Sequence, residues 1–169
     1  MDTFSMGVEQ AVKPVLQALV VADHVYQDQQ TGKKIICGTF TTLRFSRRSP
    51  VTELQKPDGT KQTVFTGGMH SGSPYAYVCL TDVCDGTRLQ LRFVNLTKNL
   101  VLFGTEAILN GVDRLSTIEM IFPLPQLPIQ EPGAFALELS CDDGILGSWR
   151  ITAEEIAPPT VAPPEPELN

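Results

Sequence analysis

Residues 88–93 read Arg-Leu-Gln-Leu-Arg-Phe, and the strict alternation of this stretch decides the fold class. Leu89, Leu91 and Phe93 project to one side of an extended chain, and the three polar residues between and before them project to the other. One face of the strand is therefore apolar and the other is polar and solvent-exposed, as in an antiparallel sheet that packs only one of its faces against a core. The stretch predicts a half-exposed strand in a layered β structure.

Further strand-like runs lie on both sides of this stretch, separated by Gly, Asn and Asp turn residues. These runs cover residues 15–26, 34–45, 75–81, 100–109, 117–124, 135–141 and 145–153. About eight short strands with frequent turn signals favour two packed sheets over a barrel or an α/β fold. The sequence thus predicts an all-β, two-sheet antiparallel sandwich of immunoglobulin-like or C2-like type.

The chain is expected to divide into three parts. Residues 1–14 form an arm or a short helix, and residues 15–156 form the sandwich. Within the sandwich, residues 46–74 are a polar insertion that contains a protruding hairpin at residues 51–65 and a Gly-rich loop. Residues 157–169 contain five prolines and should be a disordered tail.

Local signals also predict three finer features. The three prolines in residues 125–133 exclude a regular helix or central strand, so this stretch should be a stiff crossover between the sheets. Trp149, the sole tryptophan, should anchor the core. Gly32 should take a positive φ in the turn between the first two runs.

Composition and charge limit the class of protein. With 169 residues, 42% hydrophobic and 19% charged, the chain is long and apolar enough to form one globular core. Its formal net charge of −6 opposes binding to the phosphates of nucleic acid.

Residues 15–22 are apolar, but they follow a segment without net positive charge and are too short to span a bilayer. We expect a first strand and a cytoplasmic protein.

The four cysteines have no zinc-site spacing. Each lies in or beside an apolar run, where a thiol packs as a small hydrophobic group. Buried free thiols are expected, and one or two disulfides are the alternative if the protein is exported.

Two parts of the sequence carry a resemblance to a known family. The first is the predicted first hairpin, with residues 23–26, 31–33 and 35–40. The second is residues 132–135, which precede the final hairpin. Together they resemble a family of uncharacterised bacterial β-sandwich domains, a domain of unknown function, over most of residues 15–153. The hairpin at 51–65 and the proline tail depart from that pattern. The resemblance implies a sandwich and supplies no catalytic or binding residues.

Aspartates in the turns form one candidate site. If the strands simply alternate up and down, four connections meet at one end of the sandwich, and oxygen ligands held in loops suit Ca²⁺. The residues brought together would be Asp28, Asp82, Asp85, Asp113, Asp142 and Asp143, of which Asp82, Asp85, Asp142 and Asp143 are the main metal candidates. The alternative is ordinary turn chemistry, because aspartate before glycine is common in turns.

Basic residues form a second candidate site at the opposite end. The set comprises Arg44, Arg47, Arg48, Lys56 and Lys61. A basic projection on an acidic protein could bind an acidic protein partner, or let one copy's basic end meet another copy's acidic end. A plain solvated loop is the alternative.

Enzymatic motifs are missing from the sequence. Only His24 and His70 could act as histidine bases, no nucleophile elbow accompanies Ser71 or Ser73, and no phosphate-binding loop is present. The sequence therefore predicts a non-enzymatic binding or assembly accessory domain without a cofactor. A calcium- or ligand-binding C2-like module is the alternative.

Overall fold

The computed structural model describes residues 13–45, 73–142 and 144–156 in full and the backbone of residues 52–55 and 61–64. Every regular element in these ranges is a β-strand. The strands are β1 Val15–Gln27, β2 Lys34–Thr39, β3 Thr42–Phe45, β4 Thr52–Gln55, β5 Lys61–Val64, β6 Tyr75–Thr81, β7 Thr87–Asn95, β8 Leu100–Leu109, β9 Ile118–Pro123, β10 Gly133–Cys141 and β11 Gly144–Glu155. No helix in the described part of the chain could cross a membrane.

The strands form two packed sheets, which confirms the all-β sandwich. Sheet A has four strands in the order β2-β1-β6-β9, and sheet B has five in the order β3-β11-β10-β7-β8. Neither sheet closes on itself as a barrel, and β4 pairs only with β5 as a separate antiparallel hairpin. The two sheets contain nine strands in the described residues, in keeping with the expected number of about eight.

Alternation in β7 builds the core of sheet B. Leu89, Leu91 and Phe93 are almost fully buried, as the alternation of residues 88–93 predicts. Phe93 stacks between Phe103 of β8 and Phe135 of β10, with ring centroids 5.3 and 5.7 Å apart. The residues that meet these side chains from sheet A are mainly Leu19, Val21, Ala76, Val78 and Leu80.

The run at residues 34–45 is not one strand, and this prediction is wrong. The chain leaves sheet A after Thr39 and enters sheet B at Thr42, where β3 runs parallel to β11. Two bonds from β11 hold the break: the Trp149 indole N–H donates to the Phe40 carbonyl at 2.9 Å, and the Thr152 N–H donates to the Thr41 carbonyl at 2.8 Å. A single parallel pair thus departs from the expected antiparallel pattern.

Other local predictions have mixed outcomes. Residues 124–132 cross between the sheets without regular structure, and Gly32 has a φ of 70°. Trp149 is only half-buried at the side of the core. All four cysteines are free, but Cys37 is exposed. The N-terminal arm at 1–12 and the tail at 157–169 lie outside the described residues.

Candidate functional site

Three of the four predicted acidic connections lie at one end of the sandwich. They are residues 82–86, residues 110–117 and the connection that begins at Asp142, and the first lies against the end of β8, where the Gly86 N–H donates to the Leu109 carbonyl at 2.7 Å. The fourth connection, at Asp28, lies at the other end of β1, because Val15 and not Gln27 pairs with Thr81. The prediction is wrong for Asp28. The predicted strand at residues 34–45 is two strands that run in opposite directions, so every later connection lies at the end opposite to the one expected from simple up-and-down alternation.

The aspartates at this end stabilise their own loops. Asp82 forms an ion pair with Arg114 at 3.6 Å, and the Asp113 carboxylate accepts a hydrogen bond from the Leu115 N–H at 3.1 Å. The Asp85 carboxylate likewise accepts a bond from the Gly111 N–H.

Asp142 is exposed, and Asp143 lies outside the described residues. Among the residues that the structure describes, no three His, Cys, Asp or Glu side chains are grouped so that they could hold a metal ion. Turn chemistry accounts for the geometry seen at this end, and the calcium site stays a prediction.

The basic set is only partly described. Arg44 lies on β3 and pairs with Glu154 of β11 at 3.4 Å, with both side chains largely exposed. Lys61 lies on β5, where the backbone alone is described, and Arg47, Arg48 and Lys56 lie outside the described residues. The structure therefore does not test whether this set forms one surface.

The β1–β2 hairpin carries an exposed group of aromatic and apolar side chains. Tyr26 pairs with Ile35 across the two strands, and His24 pairs with Cys37. Tyr26 and Ile35 are 52% and 48% exposed, and His24 and Cys37 are exposed as well. Since directly paired residues and residues two apart on a strand share a face, these four side chains lie on one side of the hairpin. We name His24, Tyr26, Ile35 and Cys37 the hairpin patch.

Ring contacts connect the hairpin patch to the body of sheet A. The His24 and Tyr26 rings stack with centroids 5.6 Å apart and an angle of 22° between their planes. On its other side His24 lies 6.4 Å from the ring of Tyr75, the first residue of β6. These contacts reduce the rotamer freedom of the His24 and Tyr26 rings.

The turn of this hairpin is held by Asp28. Its carboxylate accepts a hydrogen bond from the Gln30 N–H at 2.8 Å and another from the Thr31 hydroxyl at 2.8 Å. These bonds favour the charged form and lower the pKa of Asp28 below its usual 3.8. The turn leads directly into Lys33 and Lys34, and neither lysine has an ion-pair partner in the described part of the chain.

Gly38 gives the hairpin its bend. It has a φ of 72°, and it lies opposite Asp23 between the Ala22–Thr39 and His24–Cys37 pairs, with no shift of register. The Asp23 carboxylate occupies the space that a side chain at position 38 would need, because a Cβ built there lies 2.5 Å from Asp23 Oδ2. Asp23 is therefore packed against Gly38 and not aligned with the His24 ring, and no catalytic Asp–His pair forms.

An open cleft of about 470 Å³ separates the hairpin turn from the outer face of sheet A. Its lining on the hairpin side consists of residues 31–34 and Ile36, and its lining on the sheet side consists of Tyr77 and Glu119. Such a shallow, polar cleft lacks the enclosed apolar walls of most small-molecule sites.

Tyr77 and Glu119 are a bonded pair at the base of this cleft. The Tyr77 hydroxyl donates a hydrogen bond to the Glu119 carboxylate. Burial of the ring and this bond to the neutral hydroxyl together raise the pKa of Tyr77 well above 10.0. A tyrosine kept protonated in this way is a fixed hydrogen-bond donor, and it is not a candidate base at neutral pH.

Sequence reasoning did not find the hairpin patch. The turn signal at residues 28–32 was enough to predict a hairpin, and counting back from it would have paired Tyr26 with Ile35. The exposure of these residues depends on what covers the outer face of sheet A, and no local pattern reports that. His70 and Ser71, the other catalytic candidates, lie outside the described residues.

Comparison of the chain with protein-family models finds no match, and comparison with curated proteins finds none either. The resemblance to the uncharacterised bacterial β-sandwich family consequently stays a prediction.

Proposed function

We propose that the protein is a non-enzymatic binding domain that holds a partner protein on the hairpin patch. The observation that carries this proposal is the directly paired, half-exposed Tyr26 and Ile35. Tyrosine is enriched at protein interfaces, because one side chain supplies a large apolar area together with a hydroxyl and loses little rotamer freedom. Ordering by the stacked His24 ring lowers the entropy lost when a partner binds.

Charges beside the patch favour a partner segment that combines apolar side chains with carboxylates. Lys33 and Lys34 have no ion-pair partner in the described part of the chain, and two nearby carboxylates are hydrogen-bonded to neutral groups. Asp28 is bonded within its own turn, and Glu119 accepts from Tyr77. Both carboxylates keep their negative charge, because their donors are neutral, so the two lysines are available cations rather than a net positive surface. Ion pairs from Lys33 and Lys34 to carboxylates of a partner segment would favour one orientation of that segment.

Other candidate surfaces have less support. The basic set from Arg44 to Lys61 stays a second proposed contact for an acidic partner, and its one described side chain is already paired with Glu154. The calcium-binding module has no grouped ligands in the described part of the chain to support it. Cytoplasmic location stays part of the proposal, in keeping with four free cysteines.

Affinity capture with matched variants tests the proposal. The full chain, the double variant Tyr26→Ser with Ile35→Ser, and the control Leu115→Ser would each be used as bait in extracts of the cells that make the protein. Leu115 is 90% exposed on the β8–β9 loop and lies far from the patch in the fold. All three proteins should melt at similar temperatures, because exposed positions contribute little to stability.

The expected result is a partner that binds the full chain and the Leu115→Ser control but not the double variant. The Lys33→Gln with Lys34→Gln variant should bind the same partner more weakly and with less dependence on salt. If the double variant captures the same proteins as the full chain in the same amounts, the hairpin patch is not the binding surface.

A further inference from the structure

The two sheets have four edge strands, and three of them are protected against pairing with another chain. In β2, Lys34 starts the strand and Gly38 bends it, while β9 is six residues long and ends at Pro123. The strand β3 has only four residues. Short length, lysine, proline and bends are the devices by which natural proteins prevent edge-to-edge association.

The fourth edge strand, β8, is long and apolar. It has ten residues, Leu-Val-Leu-Phe-Gly-Thr-Glu-Ala-Ile-Leu, with neither proline nor lysine and with Glu106 as its single charge. One side of its backbone pairs with β7 from Thr87 to Asn95, and within the described residues no strand pairs with the other side. At about 3.3 Å per residue, this side is an unpaired edge about 33 Å long.

Exposed apolar side chains are concentrated on this edge. Leu100, Val101 and Ile108 are 53%, 48% and 54% exposed, and they are three of the eight large hydrophobic residues exposed in the described chain. Glu106, the one charged residue of this strand, accepts a hydrogen bond from Gln90 of β7 at 3.0 Å. This is the composition of a strand that pairs with another strand.

The strand is complementary to itself in the antiparallel direction. Pairing about a two-fold axis at Thr105 places each Glu106 opposite the Gly104 of the other copy. The pairing of β7 with β8 shifts by one residue between Phe93 and Val94, so β8 contains one extra residue at this point. When this extra residue is allowed for, Val101 of one copy lies opposite Ile108 of the other. Both exposed apolar residues then lie on the outer face and cover each other, since Ile108 is the neighbour of Arg88 and Val101 the neighbour of Val94.

Charge complementarity supports a second copy as the occupant. Gly104 is paired with Arg92 on β7, and a Cβ at Gly104 would lie 3.4 Å from Arg92 Cγ. Arg92 already forms an ion pair with Glu138 of β10 at 3.6 Å. Because Gly104 has no side chain, Glu106 of the other copy would lie in the same row of the sheet as a second carboxylate for this guanidinium. The two-fold axis forms this contact twice.

From these observations we infer that two copies of the chain form a symmetric dimer through antiparallel pairing of β8 with β8. The two five-stranded sheets then become one continuous sheet, and every outward-facing backbone group of this edge gains a partner. The interface lies on sheet B, so it leaves the hairpin patch of sheet A open. The dimer would present two hairpin patches to its partners.

Sedimentation velocity of the full chain over micromolar to millimolar concentration tests the dimer. The wild type should shift from monomer to dimer, and Val101→Lys with Ile108→Lys should stay monomeric at every concentration, with at least a tenfold weaker association. The control Leu115→Lys adds a charge at a more exposed apolar position outside β8 and should dimerise as the wild type does. A wild type that stays monomeric at millimolar concentration, or a double variant that still dimerises, would overturn the inference.

A cysteine at position 105 tests the register. In a Cys37→Ser background, which removes the exposed native thiol, Thr105→Cys should form an intermolecular disulfide under mild oxidation, because only a residue on the axis meets its own copy. Glu106→Cys in the same background should not cross-link, since its copy is two residues away along the strand. Equal cross-linking of both, or of neither, would contradict the register. Neither result depends on partner capture by the hairpin patch, so the two proposals can fail separately.

Discussion

Gly38 bends the β1–β2 hairpin, and its replacement by alanine should lower the free energy of unfolding through two separate effects. A non-glycine residue at a φ of 72° costs about 1–2 kcal/mol. In addition, the new Cβ would lie 2.5 Å from Asp23 Oδ2 and 3.1 Å from both Cβ and Cγ of Asp23. Overpacking of this kind adds about 1 kcal/mol when a flexible side chain can move aside. We expect Gly38→Ala to destabilise the fold by about 2–3 kcal/mol.

Two further variants separate these effects. Gly86→Ala has the same kind of strain, with a φ of 77°, but no atom lies within 4 Å of its new Cβ, so it should cost only about 1–2 kcal/mol. Gly38→Ala in an Asp23→Ala background should fall to the same range, because the obstructing carboxylate is gone. Urea unfolding followed by Trp149 fluorescence gives each free energy. If Gly38→Ala costs no more than Gly86→Ala, or if Asp23→Ala gives no relief, the packing of Asp23 against Gly38 is refuted.

Three other predictions concern the core, the cleft and the crossing between the sheets. Phe93→Ala should cost about 3–5 kcal/mol in urea unfolding, because Phe93 is fully buried between two aromatic rings; a loss below about 1 kcal/mol would contradict its central place. Ultraviolet titration should show one tyrosine ionisation well above pH 10.0, and this ionisation step should be missing from the titration of Tyr77→Phe. The pKa of Tyr77 is raised in the folded state, so protonated Tyr77 stabilises the fold fully below pH 10.0. This contribution is lost as the pH rises further. The free energy of unfolding of Tyr77→Phe should therefore fall less steeply with alkaline pH than that of the wild type. Trp149→Phe should cost about 1 kcal/mol by circular dichroism, since it removes the hydrogen bond to the Phe40 carbonyl; an unchanged stability would show that this bond does not hold the break between β2 and β3.

Local sequence patterns predicted most of the strands, because short-range signals determine them. The runs at residues 75–81 and 100–109 have the same bounds in the structure, and glycine or asparagine turns follow both. Alternation in residues 88–93 named three core side chains correctly. In each of these cases the pattern and the turn lie within about ten residues of each other.

The division of the run at residues 34–45 could not be predicted in this way. Its apolar pattern continues through Phe40, and the bonds that hold the break come from Trp149 and Thr152, more than a hundred residues later in the chain. This one reversal also determines which loops share an end of the sandwich. The predicted acidic cluster therefore lost Asp28 because of a long-range contact, although its own turn was predicted correctly.

The hairpin patch shows the same division between local and long-range information. The turn at Asp28 determines the register of β1 and β2, so the pairing of Tyr26 with Ile35 could have been predicted from the sequence. Whether these side chains are covered is decided by the bend at Gly38 and by the absence of a further layer over the described part of the hairpin. Local patterns carry no signal for either.

Photo-crosslinking from position 26 tests the hairpin patch most directly. A photoreactive amino acid would replace Tyr26 in the full chain within the cells that make the protein, and a second variant would carry it at Arg150, an exposed position on the outer face of sheet B. If the hairpin patch is the binding surface, position 26 should form a covalent adduct with one defined polypeptide and position 150 should not. No adduct from position 26, or the same adducts from both positions, would contradict the proposed function.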